Sequence, residues 1–144
     1  RPVAAKLSSE SSGDHGVERA LDGRKNSNRG EDVAHTDQEY RPYLEIDLGE
    51  VRMVERINFY PRTDCCHERN TDITFLLSRT PFKNASVKTA GTVPAAKSVV
   101  KKPLPGGFSV PLSGSGRYIQ VLIPRTAYLA VEEIEIFGQR RTGR

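Results

Sequence analysis

The chain has 144 residues, 36% of them hydrophobic and 28% charged, with a net charge of +4 and no tryptophan. That is the length of one domain, with enough chain for a core that needs no disulfide staples. No apolar run approaches the ~20 residues of a membrane-spanning helix. The basic excess raises nucleic acid or an anionic surface as partners. Apart from Lys101-Lys102 and Gln139–Arg144, however, the basic residues are scattered, so neither a nucleic-acid surface nor membrane insertion is expected. Arg1-Pro2-Val3 carries no visible signal peptide and reads as a mature or excised terminus. The expected organisation is one domain over 1–138, followed by a basic tail or linker stub over 139–144.

In chain order, Val17–Leu21 offers one turn of helical periodicity, and the polar stretch around it is rich in oxygen. Glu18–Asn28 with Glu31-Asp32 could wrap a calcium ion, but composition alone favours an ordinary polar loop with an Asp-Gly turn. Tyr43–Leu48 alternates apolar and acidic residues, and Gly49-Glu50 is predicted to turn the chain. Val51–Tyr60, Asp72–Ser78, Arg117–Ile123 and Val131–Phe137 continue the period-two pattern. Pro103–Gly107 and Ser113–Gly116 are connections rich in Pro, Gly and Ser. Many short strands with turns between them predict an all-β, antiparallel β-sandwich or jelly roll.

Arg62-Thr63-Asp64-Cys65-Cys66-His67-Glu68-Arg69 holds both cysteines, adjacent to each other. Neighbouring Cα atoms lie about 3.8 Å apart, below the usual ~4.4–6.8 Å span of a disulfide. A Cys65–Cys66 bridge would therefore be a small ring that staples nothing but presents rigid apolar sulfur. On these residues alone, two reduced, partly buried thiols are the favoured reading. Metal is not favoured here, because zinc ligands are normally spaced by two to four residues. Arg62 and Arg69 supply guanidinium donors around this platform. A donor-rich rim around an apolar face suits a sugar, which has hydroxyls on its edges and C–H groups on one face.

Three blocks together resemble the F-type lectins (fucolectins) of the discoidin, or coagulation factor 5/8 C-type, superfamily. The general pattern is Ala20-Leu21-Asp22-Gly23, His35-Thr36, Tyr43–Gly49, Gly116–Val121 and Leu129–Gly138. The narrower signature, H-x26-R-x-D-x4-R, is met by His35, Arg62, Asp64 and Arg69, and Cys65-Cys66 stand where that family has a vicinal disulfide. The resemblance implies a calcium-containing domain that binds terminal α-L-fucose on glycans. His35, Arg62 and Arg69 would hydrogen-bond the sugar, Asp64 would orient the guanidiniums, and the Cys65–Cys66 bridge would pack on the ring. It also implies a structural calcium ion. Asp22 and Glu133 would give carboxylate oxygens, and Arg19, Arg24 and Glu132 backbone carbonyls. Asp32 would stand where the family often has serine.

The chain departs from the family in places. Val33 and Glu132 occupy the positions where some members have a disulfide, and Asn28 and Arg29 those of the aromatics that touch the fucose methyl group. The first loop, Ser8–Gly16, is short. The implied setting is secreted or cell-surface, in a larger or multivalent protein. Two readings compete with a lectin. One is an adhesion domain of the same fold for anionic lipid or protein, disfavoured by the absence of tryptophan and of apolar loop tips. The other is an enzyme with a Cys66 thiol beside His67. No nucleophile elbow, phosphate loop or zinc motif accompanies that pair, so no enzyme is expected.

Overall fold

A computed structural model of the chain describes residues 4–9, 16, 20–21, 34–62, 67–82, 96–104 and 106–139. The strands are β1 (Ala4–Leu7), β2 (Ala34–His35), β3 (Glu39–Tyr40), β4 (Tyr43–Pro61) and β5 (Ile73–Ser78). They continue with β6 (Ala96–Val100), β7 (Phe108–Leu122), β8 (Thr126–Ala127) and β9 (Ala130–Gln139). A 3-10 turn, His67–Asn70, links β4 to β5. Hydrogen bonding runs β2-β9-β4-β7-β5-β6, with β1 also on β4, while β3 and β8 form a separate two-stranded ribbon. Every pair is antiparallel, as the alternating pattern predicts.

Two long strands belong to both layers of the sandwich. The start of β4, at Leu44–Asp47, lies between β1 and the end of β7; its later part, from Met53, lies between β9 and the start of β7. The end of β7 in turn pairs with β5. Phe59 on the later half of β4 meets Phe75 on β5 edge-to-face, with ring centroids 5.5 Å apart. Phe108 lies 5.5 Å from Phe59 and closes the cluster. Leu44, Ile46, Ile57, Ile73, Leu77, Val110, Ile119 and Val121 are buried around these rings. Each such side chain contributes about 1.5–3 kcal/mol by leaving water.

The expected turn at Gly49-Glu50 is not a chain reversal. β4 runs through it as a kink: the five-residue step from Asp47 to Arg52 faces the two-residue step from Tyr118 to Gly116 on β7. Gly49 takes φ +88°, and its N–H donates to Asp47 Oδ1 at 2.7 Å. An Asp-to-backbone bond and a glycine at positive φ are turn chemistry, here used inside a strand. Arg117 secures the same aspartate with two bonds, Nε–Oδ1 at 2.8 Å and Nη2–Oδ2 at 3.1 Å.

A second irregularity restores the alternation. Val54 and Ile57 are both buried although three residues apart, and Glu55 is skipped in the pairing with β7 and with β9. Such a bulge adds one residue and re-aims those that follow. Without it, Ile57 and Phe59 would face solvent.

Two predictions follow from this packing. A Cβ on Gly138 would lie 2.0 Å from the main-chain oxygen of Met53, which cannot swing aside. Gly138→Ala should lower the unfolding free energy by about 3 kcal/mol, measured by denaturant titration. On the outer face of β4, Glu45 is buried, with Gln120 Nε2 donating to it at 3.5 Å. Desolvation raises its pKa despite the opposing Lys6 charge and the Gln120 bond. The folded state therefore holds this proton more tightly than the unfolded chain, and stability drains away as pH rises from the ordinary carboxyl value through the raised one. Glu45→Gln should match the parent's melting temperature below that window and exceed it at neutral pH.

Candidate functional site

Strand register gathers the signature residues at one end of the sandwich. Val131 on β9 is the partner of both Ala34 on β2 and Pro61 on β4. The next residues, His35 and Arg62, thus leave flanking strands at the same end, about 10 Å apart by two strand spacings. His35 sits opposite Ala130 and is only 8% exposed. Its Nδ1 lies 2.7 Å from Thr36 O. A carbonyl only accepts, so Nδ1 carries the proton, and in a neutral ring Nε2 would then be the acceptor nitrogen. Thr36, fully buried, holds this corner through Thr36 N–H to Leu129 O and Leu129 N–H to Thr36 Oγ1, each 2.9 Å.

Tyr128, between β8 and β9, brings the third signature residue into the group. Its ring lies 5.5 Å from that of His35, edge-on at 62°. The Arg69 guanidinium stands over the same ring, 4.7 Å from the centroid. A cation over an aromatic face is worth about 0.5–2 kcal/mol and leaves the guanidinium edge free to donate in the ring plane's direction.

Arg69 is carried by the 3-10 turn, and Arg125 grips the main chain of that segment. Arg125 Nη1 donates to Arg69 O at 3.5 Å; Nη2 donates to Thr71 O at 2.5 Å and Asp72 Oδ2 at 3.4 Å. Asp72 has φ +61°, a left-handed conformation that aspartate tolerates, and its N–H donates to Lys101 O at 3.2 Å. Gln38, Arg69, Thr71, Arg125, Thr126, Ala127 and Tyr128 line an open depression of about 510 Å³ beside the cluster.

The remaining signature positions, Asp64, Cys65 and Cys66, lie outside the described residues, as do Arg19, Asp22, Arg24 and Asp32 of the expected calcium loop. Glu132 and Glu133 are described, and they break the strand rule that neighbours face opposite ways. Tyr60 pairs with Glu133 while Pro61 pairs with Val131, so Glu132 is an inserted residue, and both glutamates are buried at 0% and 5% exposure. Neighbouring hard-oxygen groups at a bulge are the kind of donors calcium takes. Among the described residues no three His, Cys, Asp or Glu side chains converge on one point.

Tyr128 and Arg125 have no place in the signature, and no spacing in the sequence points to either. Chemically, the cluster offers an acceptor nitrogen, guanidinium donors and an aromatic face, with no activated nucleophile among the described residues.

Residues 19–121 match a family model described as F5/F8 type C, NedA-like, galactose-binding domain. Fucolectin-5 of Anguilla japonica is 28% identical over 122 residues, covering 81% of this chain and 61% of that protein. The chain thus spans about three fifths of that relative's length. A fucolectin from the serum of striped bass, Morone saxatilis, superposes with a TM-score of 0.83 at 26% identity, covering 98% of this chain and 48% of that one. A fucose binding module of Streptococcus pneumoniae superposes with a TM-score of 0.77 at 22% identity, covering 94% and 91%.

If Arg125 fixes the Arg69 segment, Arg125→Ala should speed hydrogen exchange at the Asp72 amide at least tenfold, about 1.4 kcal/mol of local opening. The amides of β4 and β7 should keep their protection.

Proposed function

Because the chain belongs to the F5/F8 type C family, as a NedA-like, galactose-binding domain, we propose that it is a lectin domain that binds terminal α-L-fucose on glycans. The observation that carries this reading is the meeting of His35 and Arg69 on the Tyr128 ring, with Arg62 leaving the neighbouring strand at the same end. Residues far apart in sequence share one corner, at the spacing that the fucolectin signature requires. The named relatives, fucolectins and a fucose binding module, support the same substrate class. They are binding proteins, and this chain is read likewise as a binding domain and not an enzyme.

In this reading His35 Nε2 accepts a sugar hydroxyl while Arg62 and Arg69 donate to ring and hydroxyl oxygens. Charge-assisted bonds of this kind are short and selective in geometry. A wrong epimer would leave one of them unmade, and a desolvated donor without a partner costs about 1–3 kcal/mol. Asp64 orients the guanidiniums, and a Cys65–Cys66 disulfide supplies the apolar face against the ring. The bulge that buries Glu132 and Glu133 supports a structural calcium ion, with Asp22 and Glu133 as carboxylate ligands. Arg19, Arg24 and Glu132 add main-chain oxygens, and Asp32 completes the set. The ion would supply charge that pins the binding loops. A disulfide between neighbouring cysteines persists outside the reducing cytosol, so the domain is assigned to an extracellular setting, where several copies raise avidity for glycan surfaces.

Calorimetric titration of the oxidised protein with L-fucose in calcium, with D-galactose as the control, tests this. One saturable site per chain for fucose and much weaker galactose binding are expected. Arg69→Ala, which removes a charged donor from a partly exposed position, should weaken fucose about a hundredfold, near 3 kcal/mol, while the lost Tyr128 contact lowers the melting temperature by only a few degrees. Full affinity in that variant would reject the site.

A further inference from the structure

We infer that the β3–β8 ribbon is a second glycan subsite, which takes the neutral pyranose to which a terminal fucose is attached. The inference rests on the fucose reading, since the ribbon adjoins that site. Glu39 pairs with Ala127 and Tyr40 with Thr126. Cross-strand partners project to the same side and neighbours along a strand to opposite sides. One side of the ribbon is turned inward: Glu39 accepts hydrogen bonds from Ser8 and Ser9, and Ala127 packs on the core. The other side therefore carries Gln38, Tyr40, Thr126 and Tyr128. Three of these four line the depression that also contains Arg69. The strip begins at the aromatic ring shared by His35 and Arg69 and ends at Tyr40.

Tyr40 is 65% exposed, the most exposed of the large hydrophobic residues described. The Arg41 guanidinium stands over its ring, 4.9 Å from the centroid, and holds the ring in place. A held, solvent-facing aromatic offers an apolar surface for sugar C–H groups at small entropic cost. Gln38 and Thr126 provide an amide and a hydroxyl beside it, able to donate and accept. At about 510 Å³ the depression falls within the ~300–1,000 Å³ of small-molecule sites. Two cationic groups line it: Arg125 is directed to Asp72 and two carbonyls, and Arg69 is assigned to the fucose. With both engaged and Arg41 laid on the Tyr40 ring, a neutral sugar fits better than a sulfated or sialylated one.

The test is calorimetric titration of the parent, Tyr40→Ala and Gln38→Ala with free L-fucose and with fucose linked α1-2, α1-3 or α1-4 to a neutral pyranose. At least one linked sugar should bind the parent about tenfold more tightly than fucose. Tyr40→Ala should lose most of that gain while binding free fucose within twofold of the parent, and Gln38→Ala should lose part of it. If the parent binds fucose but gains nothing from any linkage, or if both variants retain the gain, the subsite is rejected and the fucose site stands. If the parent binds none of these sugars, both readings fall. A sulfated linked sugar that binds more tightly than its neutral counterpart would overturn the assignment of a neutral occupant.

Discussion

The structure depends on keeping one buried face along a strand that serves two layers. β4 has 19 residues, and its inward side chains must point into the same core before and after it changes neighbours. Strand alternation has a period of two, so any odd step turns every later side chain to the wrong face. The kink at Gly49 and the bulge at Glu55 meet this requirement. The first lets the strand bend between layers, and the second returns Ile57 and Phe59 to the core.

The corner that holds His35 and Arg69 inherits its geometry from this solution. β4 ends at Pro61, alongside β9, and thereby sets where Arg62 emerges. β9 lies between β4 and β2, and so sets the separation of Arg62 from His35. The third residue comes from a turn rather than a strand, and it needs two further anchors: the Tyr128 ring against its side chain and Arg125 against its main chain. Rigid strands place two groups, and a clamped turn places the other.

Much of this was legible in the residues, for reasons that also mark the limits. The alternation in Tyr43–Leu48 and Val51–Tyr60 revealed strands, because burial on one face leaves a period-two trace. Gly49-Glu50 misled because glycine at positive φ beside an aspartate serves a hairpin turn and an in-strand kink equally well; only the pairing with β7 separates the two. His35, Arg62 and Arg69 could be picked out by their joint spacing. Tyr128 and Arg125 could not, since a ring contact and a grip on carbonyl oxygens leave no sequence pattern. The inserted Glu132 is similar: two consecutive glutamates in a strand suggest one buried and one exposed, whereas at this bulge both are buried.

The sharing of β4 and β7 between layers has a consequence for how the domain comes apart. Neither layer can peel away while the other stays intact, because each contains half of the same two strands. Unfolding should therefore be all-or-none, and any ligand held at the β9 corner opposes the loss of the entire fold, the far end included, by an amount that grows with its concentration relative to its Kd. A domain tethered to a glycan surface would then be most resistant to unfolding while it is holding on.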